Sequence, residues 1–478
     1  MAEKLVSRSK DFNEWYNTLV LAADLADYGP ARGTMIIKPY GWALWENIQG
    51  ALDRRFKATG HMNAGFPMLI PESFMQREAS HVEGFAPELA VVTHGGGEKL
   101  EEPLVVRPSS ETLISQAFAK WIQSYRDLPI LLNLWNSVAR WELRTKLFLR
   151  TTEFYWQEGH TAHATADEAA LETQQMLDVY TDFAVNEAAI PVIPGEKSEG
   201  ERFAGADRTF TIEAMMGDCR ALQSGTSHNL GQNFAKAFAI RYLDPNNEQQ
   251  YVWTTSWGLS TRFVGAIIMV HGDDKGLVLP PRLAPYQLVI VPIYRKDEER
   301  ATVMAAVERV QVALVEAGVR VKVDDRDHLT PGFKFNEWEL RGVPLRMEIG
   351  PRDVAQDVAV LARRDVPGKA GKAAVRQEEI VGAVRTLLTT IQTDMLARAT
   401  AFRDANTHTV ATYEEFQEKV QSGFVRAWWA GNDADEKQVQ QETKATHRCY
   451  PLDQPSGEGV CFFTGKPATR QAIFARAY

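Results

Sequence analysis

Three prolines, Pro280, Pro281 and Pro285, divide the chain into stretches that obey different patterns. Proline has no backbone N–H and a fixed φ, so no helix or central strand runs through such a cluster. Upstream, Trp15, Leu19, Ala22, Ala23 and Ala26 recur at helical spacing until Gly29-Pro30. A short extended piece, 34–38, precedes a second helical face of Trp45, Ile48, Leu52 and Phe56 ending near Gly60, and Pro67 to Pro71 is extended or irregular. From there to about residue 285, strand-like runs (208–213, 263–270) mix with a helical one (167–187). Such a mixture without strict βαβ alternation predicts an α+β fold with a largely antiparallel sheet.

Downstream the pattern becomes regular. Residues 288–293 read as a buried strand, and Val303, Val307, Val310 and Leu314 as a helical stripe. Val319, Val321 and Val323 alternate as a strand; a helix with Phe335 and Trp338 and strands near 345–349 and 358–361 follow, giving a compact α/β module. A connector rich in Gly and Lys, 367–372, leads to a long helix marked by Ile380, Val384, Leu387, Leu388, Ile391 and Met395. The expected units are therefore 1–285, 286–402 and a small α+β tail, 403–478. A length of 478 residues accommodates three domains.

Several classes are excluded. With 45% hydrophobic and 24% charged residues the chain can bury a core. Its longest apolar run, 263–270, is far short of the roughly 20 residues that cross a bilayer, so no membrane association is expected. The first residues carry charge where a secretory signal needs an apolar stretch, and Cys219, Cys449 and Cys461 include no Cys-x-x-Cys pair. A reducing, cytoplasmic setting is expected. The net charge of −9 argues against coating nucleic acid over the whole surface, but residues 286–400 hold 18 basic against 17 acidic side chains.

The segment richest in chemistry is Arg140-Trp141-Glu142, a loop, then Arg150-Thr151-Thr-Glu-Phe154-Tyr-Trp156-Gln-Glu158-Gly-His160. If Arg140 and Glu142 lie on a strand, they point to one face, as do Phe154 and Glu158. Arginine can clamp phosphate, an aromatic ring can stack a purine, and carboxylates can hold a metal or an amine. The plain alternative is a salt-bridged sheet face.

This spacing resembles motif 2 of the class II aminoacyl-tRNA synthetases. Residues 33–71 resemble motif 1, the dimerisation element, and Gly258-Leu-Ser260-Thr-Arg262 with the apolar run after it resembles motif 3. Within the class, Arg107-Pro-Ser109-Ser-Glu111-Thr112, the stretch from Cys219 through Gln223 and Thr226 to His228, and His271-Gly-Asp-Asp-Lys-Gly are similar to the prolyl-tRNA synthetase family, archaeal and eukaryotic-like group. The resemblance implies a homodimeric ligase that uses ATP and Mg²⁺ to couple L-proline to tRNA(Pro) through prolyl-adenylate. Arg140 would bridge the α-phosphate and the proline carboxylate, and Arg262 would cover the adenine and γ-phosphate region. Glu142, Arg150, Thr151, Phe154, Gln223, Thr226 and Ser260 would line the nucleotide. Ser109, where the family has threonine, and Glu111 would take the proline nitrogen; Trp156, Glu158, His160, Phe203 and His228 would surround the ring. Magnesium would bind through ATP, with no metal ligands dedicated to it in the protein.

The 286–402 module is similar to the class II anticodon-binding domain, which makes Arg346, Glu348, Arg352, Arg363 and Arg364 candidates for RNA contact. Arg363, Arg364, Lys369, Lys372 and Arg376 face only Asp365 along the sequence. The span between motifs 2 and 3 is too short for the editing domain of bacterial-type relatives. In the tail, Ala430, Asp435, Cys461 and Thr464 occupy the positions of four zinc-binding cysteines in other members, so no structural zinc is expected and Trp428, Trp429, Phe462 and Phe463 should form a core. The competing readings are a threonyl, histidyl or glycyl synthetase, and a non-catalytic tRNA-binding relative.

Overall fold

A computed structural model describes residues 5–75 and 89–478. Its centre is an eleven-stranded sheet in the order Thr407–Thr409, Phe424–Trp428, Gln471–Arg476, Ala445–Pro451, Val192–Glu196, Arg208–Met215, Ala221–Gly231, Trp253–Ser260, Glu153–His163, Ile130–Ala139 and Met62–Asn63. Pairing is antiparallel except at the two outermost pairs. The α+β expectation with a mainly antiparallel sheet therefore holds.

The first helix, Phe12–Ala22, is capped by Asp11, whose side chain accepts from the Glu14 N–H. It is shorter than its apolar pattern: Ala26 belongs to the strand Ala26–Tyr28, because the chain turns at Asp24, where φ is +62°. The next helix, Pro39–Ala58, starts on proline and buries Trp45, Ile48, Leu52 and Phe56. With the helix Ala166–Asp182 it covers one face of the sheet, packing Trp15, Trp45, Tyr180 and Trp257 into the main core. Residues 263–270 are not a strand. They lie in the helix Arg262–His271, whose residues Phe263 to Met269 are all buried. A helix enclosed on every side shows no amphipathic period, so a short apolar run reads equally well as a strand.

The second unit forms a five-stranded sheet in the order Val321–Val323, Leu288–Pro292, Leu345–Ile349, Val358–Arg363, Lys372–Arg376. The first three strands are parallel and the last two antiparallel. The helices Asp297–Glu316 and Ile380–Ala405 close its core. The final strand, Lys372–Arg376, starts where the Gly- and Lys-rich connector ends and was not expected from the sequence.

The tail does not stand apart from the first unit. Its strand Ala445–Pro451 pairs with Val192–Glu196 through Tyr450 opposite Glu196 and Pro451 opposite Gly195, so one sheet runs through both. A Cβ on Gly195 would lie 2.6 Å from both the Cys449 Sγ and the Tyr450 carbonyl, so the join requires glycine there. Arg448 seals it with a buried ion pair to Glu213 at 2.9 Å, and Arg470 reaches Glu196 at 3.0 Å. Trp429 and Phe462 are buried in the tail core, with Trp428 and Phe463 packed at its edge. No helix among the described residues is long and apolar enough to cross a membrane.

Candidate active site

The middle strands of the large sheet carry a cavity of about 280 Å³ on the face opposite the main helices. Strand alternation places Phe154, Trp156, Glu158 and His160 of Glu153–His163 along one wall. Gly159 points to the other face, where a Cβ would overlap the Trp257 ring at 2.1 Å, so the large indole fixes that position as glycine.

One end of the cavity is cationic. Arg140 follows the strand Ile130–Ala139; its Nε donates to the Pro108 carbonyl at 3.0 Å, and its guanidinium lies 5.4 Å from the Phe154 ring and 5.6 Å from Trp156. Arg262 heads its buried helix and donates from Nε to the Leu149 carbonyl at 3.0 Å. Burial, then repulsion from Arg150 and Arg140, pushes its pKa down to about 10. Ser260, Gln223 and Thr226 line this same cavity. Arg262, its charge disfavoured by burial and by the neighbouring Arg150 and Arg140, is poised for a polyanion.

Glu142, Arg150 and Thr151 do not line that cavity. Residues 140–142 lie beyond the strand's end, so Arg140 and Glu142 do not share a strand face as their spacing suggested. Glu142 approaches Arg150 at 3.5 Å, and the Thr151 hydroxyl donates to the Glu153 carbonyl at 2.7 Å. Arg150 lines a neighbouring cavity of about 280 Å³ with Arg144, Lys146, Arg262 and the C-terminal Tyr478. The Tyr478 hydroxyl donates to Asp218 at 2.6 Å, and Lys146 sits 4.9 Å from its ring. No motif pointed to Tyr478.

The other end is acidic and aromatic. Ser109 and Glu111, both buried, line it beside Glu158. The Glu158 carboxylate accepts from the Ser110 N–H at 3.2 Å, the Ser110 hydroxyl, and Asn136 Nδ2 at 2.8 Å, and lies 3.0 Å from His160 Nε2. Asn136 also accepts from the Trp156 indole N–H at 2.6 Å. Burial opposes charge on His160, but the Glu158 hydrogen bond and the charges of Glu158 and Glu111 outweigh it, so its pKa is raised. His228, stacked on Phe203 at 4.5 Å and paired with the Thr209 hydroxyl at 3.0 Å, is driven by burial down to about 4.

Sequence reasoning missed the holders Asn136, Ser110 and Thr209, and the lining residues Glu201, Ser256 and Trp257. Ser256 shares a strand face with Gly258 and Ser260, so strand periodicity was the available signal for it; Trp257 turns its ring to the other face and carried no such signal.

In the second unit, a cavity of about 260 Å³ is lined by Phe335, Glu339, Arg346, Arg363, Arg364 and Lys372. Arg346 stacks over Phe335 at 4.1 Å and pairs with Glu348 at 2.9 Å. Arg352 is exposed on the short helix Pro351–Ala355, outside that cavity. The basic run is not the weakly opposed patch its sequence implies. Arg363 pairs with Asp365 and Asp394, Arg364 with Asp273, Lys372 with Glu348, and Arg376 with Glu378 and Glu379, partners that come mostly from other elements.

Comparison with known proteins agrees with this layout. Residues 94–271 match the tRNA synthetase class II core domain (G, H, P, S and T), 287–387 the anticodon binding domain, and 413–478 the prolyl-tRNA synthetase C-terminal domain. The proline–tRNA ligase of Chloroflexus aurantiacus is 59% identical over 478 residues, covering 100% of this chain and 99% of that one. The chloroplastic/mitochondrial proline–tRNA ligase of Arabidopsis thaliana is 58% identical over 475 residues, 98% of this chain and 88% of its own. The Chloroherpeton thalassium proline–tRNA ligase is 54% identical over 485 residues and covers both chains fully. With three matched domains in order and that identity along its whole length, the chain belongs to the prolyl-tRNA synthetase family of class II.

Proposed function

We propose that this chain ligates L-proline to tRNA(Pro), forming prolyl-adenylate from ATP and then passing proline to the 3′ end of the tRNA. The observation that carries the reading is one cavity with an arginine-rich end and an acidic, aromatic end, a match for ATP beside a small cyclic ammonium. Arg140, between the two ends, holds the proline carboxylate against the α-phosphate. That carboxylate is already ionised, so attack needs positioning and charge neutralisation and no side-chain base. Arg262 takes the γ-phosphate side, Phe154 stacks the adenine, and Gln223, Thr226 and Ser260 complete the nucleotide site. Glu142, Arg150 and Thr151 lie outside that cavity on the segment 140–152, from which Arg150, sharing a neighbouring cavity with Arg262, can approach the phosphates.

The imino group of proline lies between Ser109 and Glu111. Trp156, Phe203 and His228 wall the ring, and Glu158 with His160 closes the floor. Gln223 and Ser260 line the cavity and would offer oxygen donors that suit a hard Mg²⁺ held mainly by ATP phosphates, where it would offset phosphate charge. Phe335 and Arg346 offer a stacking platform and a donor for an unpaired anticodon base, with Glu348 aligning the arginine; Arg352, Arg363 and Arg364 face the RNA less directly.

The domain limits 1–285, 286–402 and 403–478 are part of the same reading, as are cytoplasmic action and a homodimer. Exposed apolar Ile36, Met62, Met68 and Leu69 on the motif 1 segment support the dimer.

ATP–pyrophosphate exchange across a panel of amino acids tests the whole. Proline should dominate, and Arg140→Ala should lose at least about 100-fold. Equal exchange with threonine or histidine, or an Arg140→Ala variant of normal rate, would overturn it.

A further inference from the structure

The segment between the strands Val192–Glu196 and Arg208–Met215 carries Glu201 and Phe203 to the acidic end of the cavity. Within the segment, Phe203 N–H donates to the Thr209 hydroxyl at 3.0 Å and Glu201 N–H to the Ser198 carbonyl at 3.3 Å. Its outer side is held by the tail. The buried Ser198 hydroxyl donates to Glu436 at 2.8 Å, a contact spanning 238 residues of sequence. Glu436 lies in the helix Asp433–Thr443, whose start is fixed by Asn432 and Asp435 capping one another's backbone. The first residue of that helix abuts the segment a second time: a Cβ on Gly200 would lie 3.0 Å from Asp433 Oδ1.

The helix itself sits on a rigid frame, because the following strand, Ala445–Pro451, is stitched into the catalytic sheet beside Val192–Glu196. The tail thus grips the segment at its free end while the sheet fixes both of its roots. A loop between two adjacent antiparallel strands otherwise samples many conformations, and ordering it costs conformational entropy at every residue. A contact that orders it before substrate arrives lowers what binding must supply.

We propose that Glu436 and Ser198 are positioning residues for the amino-acid site: through them the C-terminal domain holds the 198–203 segment, and with it Phe203, against the bound proline ring. This rests on the reading of that cavity end as the proline site. Neither residue reaches the cavity, so the effect falls on amino-acid binding and spares the nucleotide end.

The test is steady-state pyrophosphate exchange by the full-length chain and its Ser198→Ala, Glu436→Ala and Glu436→Gln variants, with melting followed in parallel. Ser198→Ala and Glu436→Ala should raise KM for proline about fivefold, with kcat and KM for ATP within about twofold of the parent. Glu436→Gln keeps an oxygen to accept from Ser198 and should restore KM. Parental KM for proline in both alanine variants would overturn the proposal. A Glu436→Ala variant that loses kcat and melting temperature together, while Ser198→Ala is unchanged, would also overturn it by giving Glu436 a purely structural role. A parent chain that exchanges no pyrophosphate with proline would instead refute the reading of the cavity, a result read before any variant is made.

Discussion

Arg364 sends both terminal nitrogens to Asp273, at 2.8 and 2.6 Å, and so ties the end of the strand Val358–Arg363 to the loop that follows the buried helix Arg262–His271. Its Nε donates to the Glu339 carbonyl at 2.8 Å, and the side chain is almost wholly buried. The anticodon and catalytic units therefore share a bidentate ion pair.

Arg364→Ala should destabilise the joined units more than it weakens RNA binding. Removing one partner of a buried pair strands the other, a loss of about 3 to 5 kcal/mol at full burial; Asp273 is 42% exposed, which reduces this to about 1 to 3 kcal/mol. Calorimetry should show a lowered transition, and Asp273→Ala should lower it similarly. A variant melting like the parent but with a shallower salt dependence of tRNA binding would return Arg364 to the RNA surface.

Asn136 joins the aromatic wall to the acidic floor, accepting from Trp156 and donating to Glu158. Asn136→Ala leaves a partly buried indole N–H and a carboxylate oxygen each short of a partner, at about 1 to 2 kcal/mol in total. KM for proline should rise about tenfold, and discrimination against alanine should fall because Trp156 is no longer held upright. Unchanged selectivity in amino-acid-dependent exchange would show that packing alone orients the ring.

These contacts mark the limit of sequence reading. The residues facing the cavity were legible because Phe154, Trp156, Glu158 and His160 follow strand alternation inside a family motif. Asn136 and Ser110 were not, since each acts on a lining residue from another element; Ser110 sits inside the Arg107 to Thr112 motif, but nothing in that motif marks it as the partner of Glu158. The partners of Arg363 and Arg364 were hidden for the same reason: Asp394 and Asp273 are 31 and 91 residues away. In the fold, helices with one wet face were read correctly, while the enclosed helix Arg262–His271 passed for a strand. The fusion of tail and catalytic sheet rests on a two-residue pairing at Tyr450 and Pro451 that no periodicity announces.

The two histidines of the acidic end should titrate apart. His228 is held by burial near a pKa of about 4, whereas the Glu158 and Glu111 charges raise His160 despite its burial. His160 thus adds stability that is full below its ordinary pKa near 6.5 and is lost as pH rises through its raised value. NMR of the imidazoles should find His228 neutral from pH 5.5 to 8 and His160 still protonated above 6.5. Glu158→Gln should bring the His160 midpoint down; an unmoved midpoint would deny the pairing its effect.

Glu436 gives the tail a pH dependence of opposite kind to an ordinary acid. Burial, then the charges of Glu201 and Asp433, raise its carboxyl to about 7, against the lowering influence of Ser198 and Lys197; Tyr450 also lies within reach. A carboxyl whose folded pKa exceeds its unfolded value, 4.5, favours folding most below 4.5 and loses that contribution as pH rises through about 7. Glu436→Gln should therefore melt about 1 to 3 °C higher than the parent at pH 8. The gap should shrink steadily between pH 7 and 4.5. An equal gap at all pH values would mean the carboxyl is not the source.

Of the four tail positions that the family resemblance marks for zinc, Ala430, Asp435, Cys461 and Thr464, one carries a thiol. The Thr464 N–H points at Cys461 Sγ at 3.4 Å and the Gly465 N–H donates to the Cys461 carbonyl at 3.0 Å. Asp435, in contrast, spends its carboxylate on the Asn432 N–H at 2.9 Å, and Ala430 packs against the aromatic core of Trp429 and Phe462. Structural zinc takes four strong ligands in a tetrahedron, and only Cys461 of these four positions supplies a thiol. Dialysed protein should therefore carry far less than one zinc per chain by elemental analysis, and chelators should leave its melting unchanged. The complementary experiment restores the ligands: Ala430→Cys, Asp435→Cys and Thr464→Cys together should bind one zinc and raise the melting of the tail on metal addition. Stoichiometric, chelator-resistant zinc in the parent would overturn this account of the substitutions.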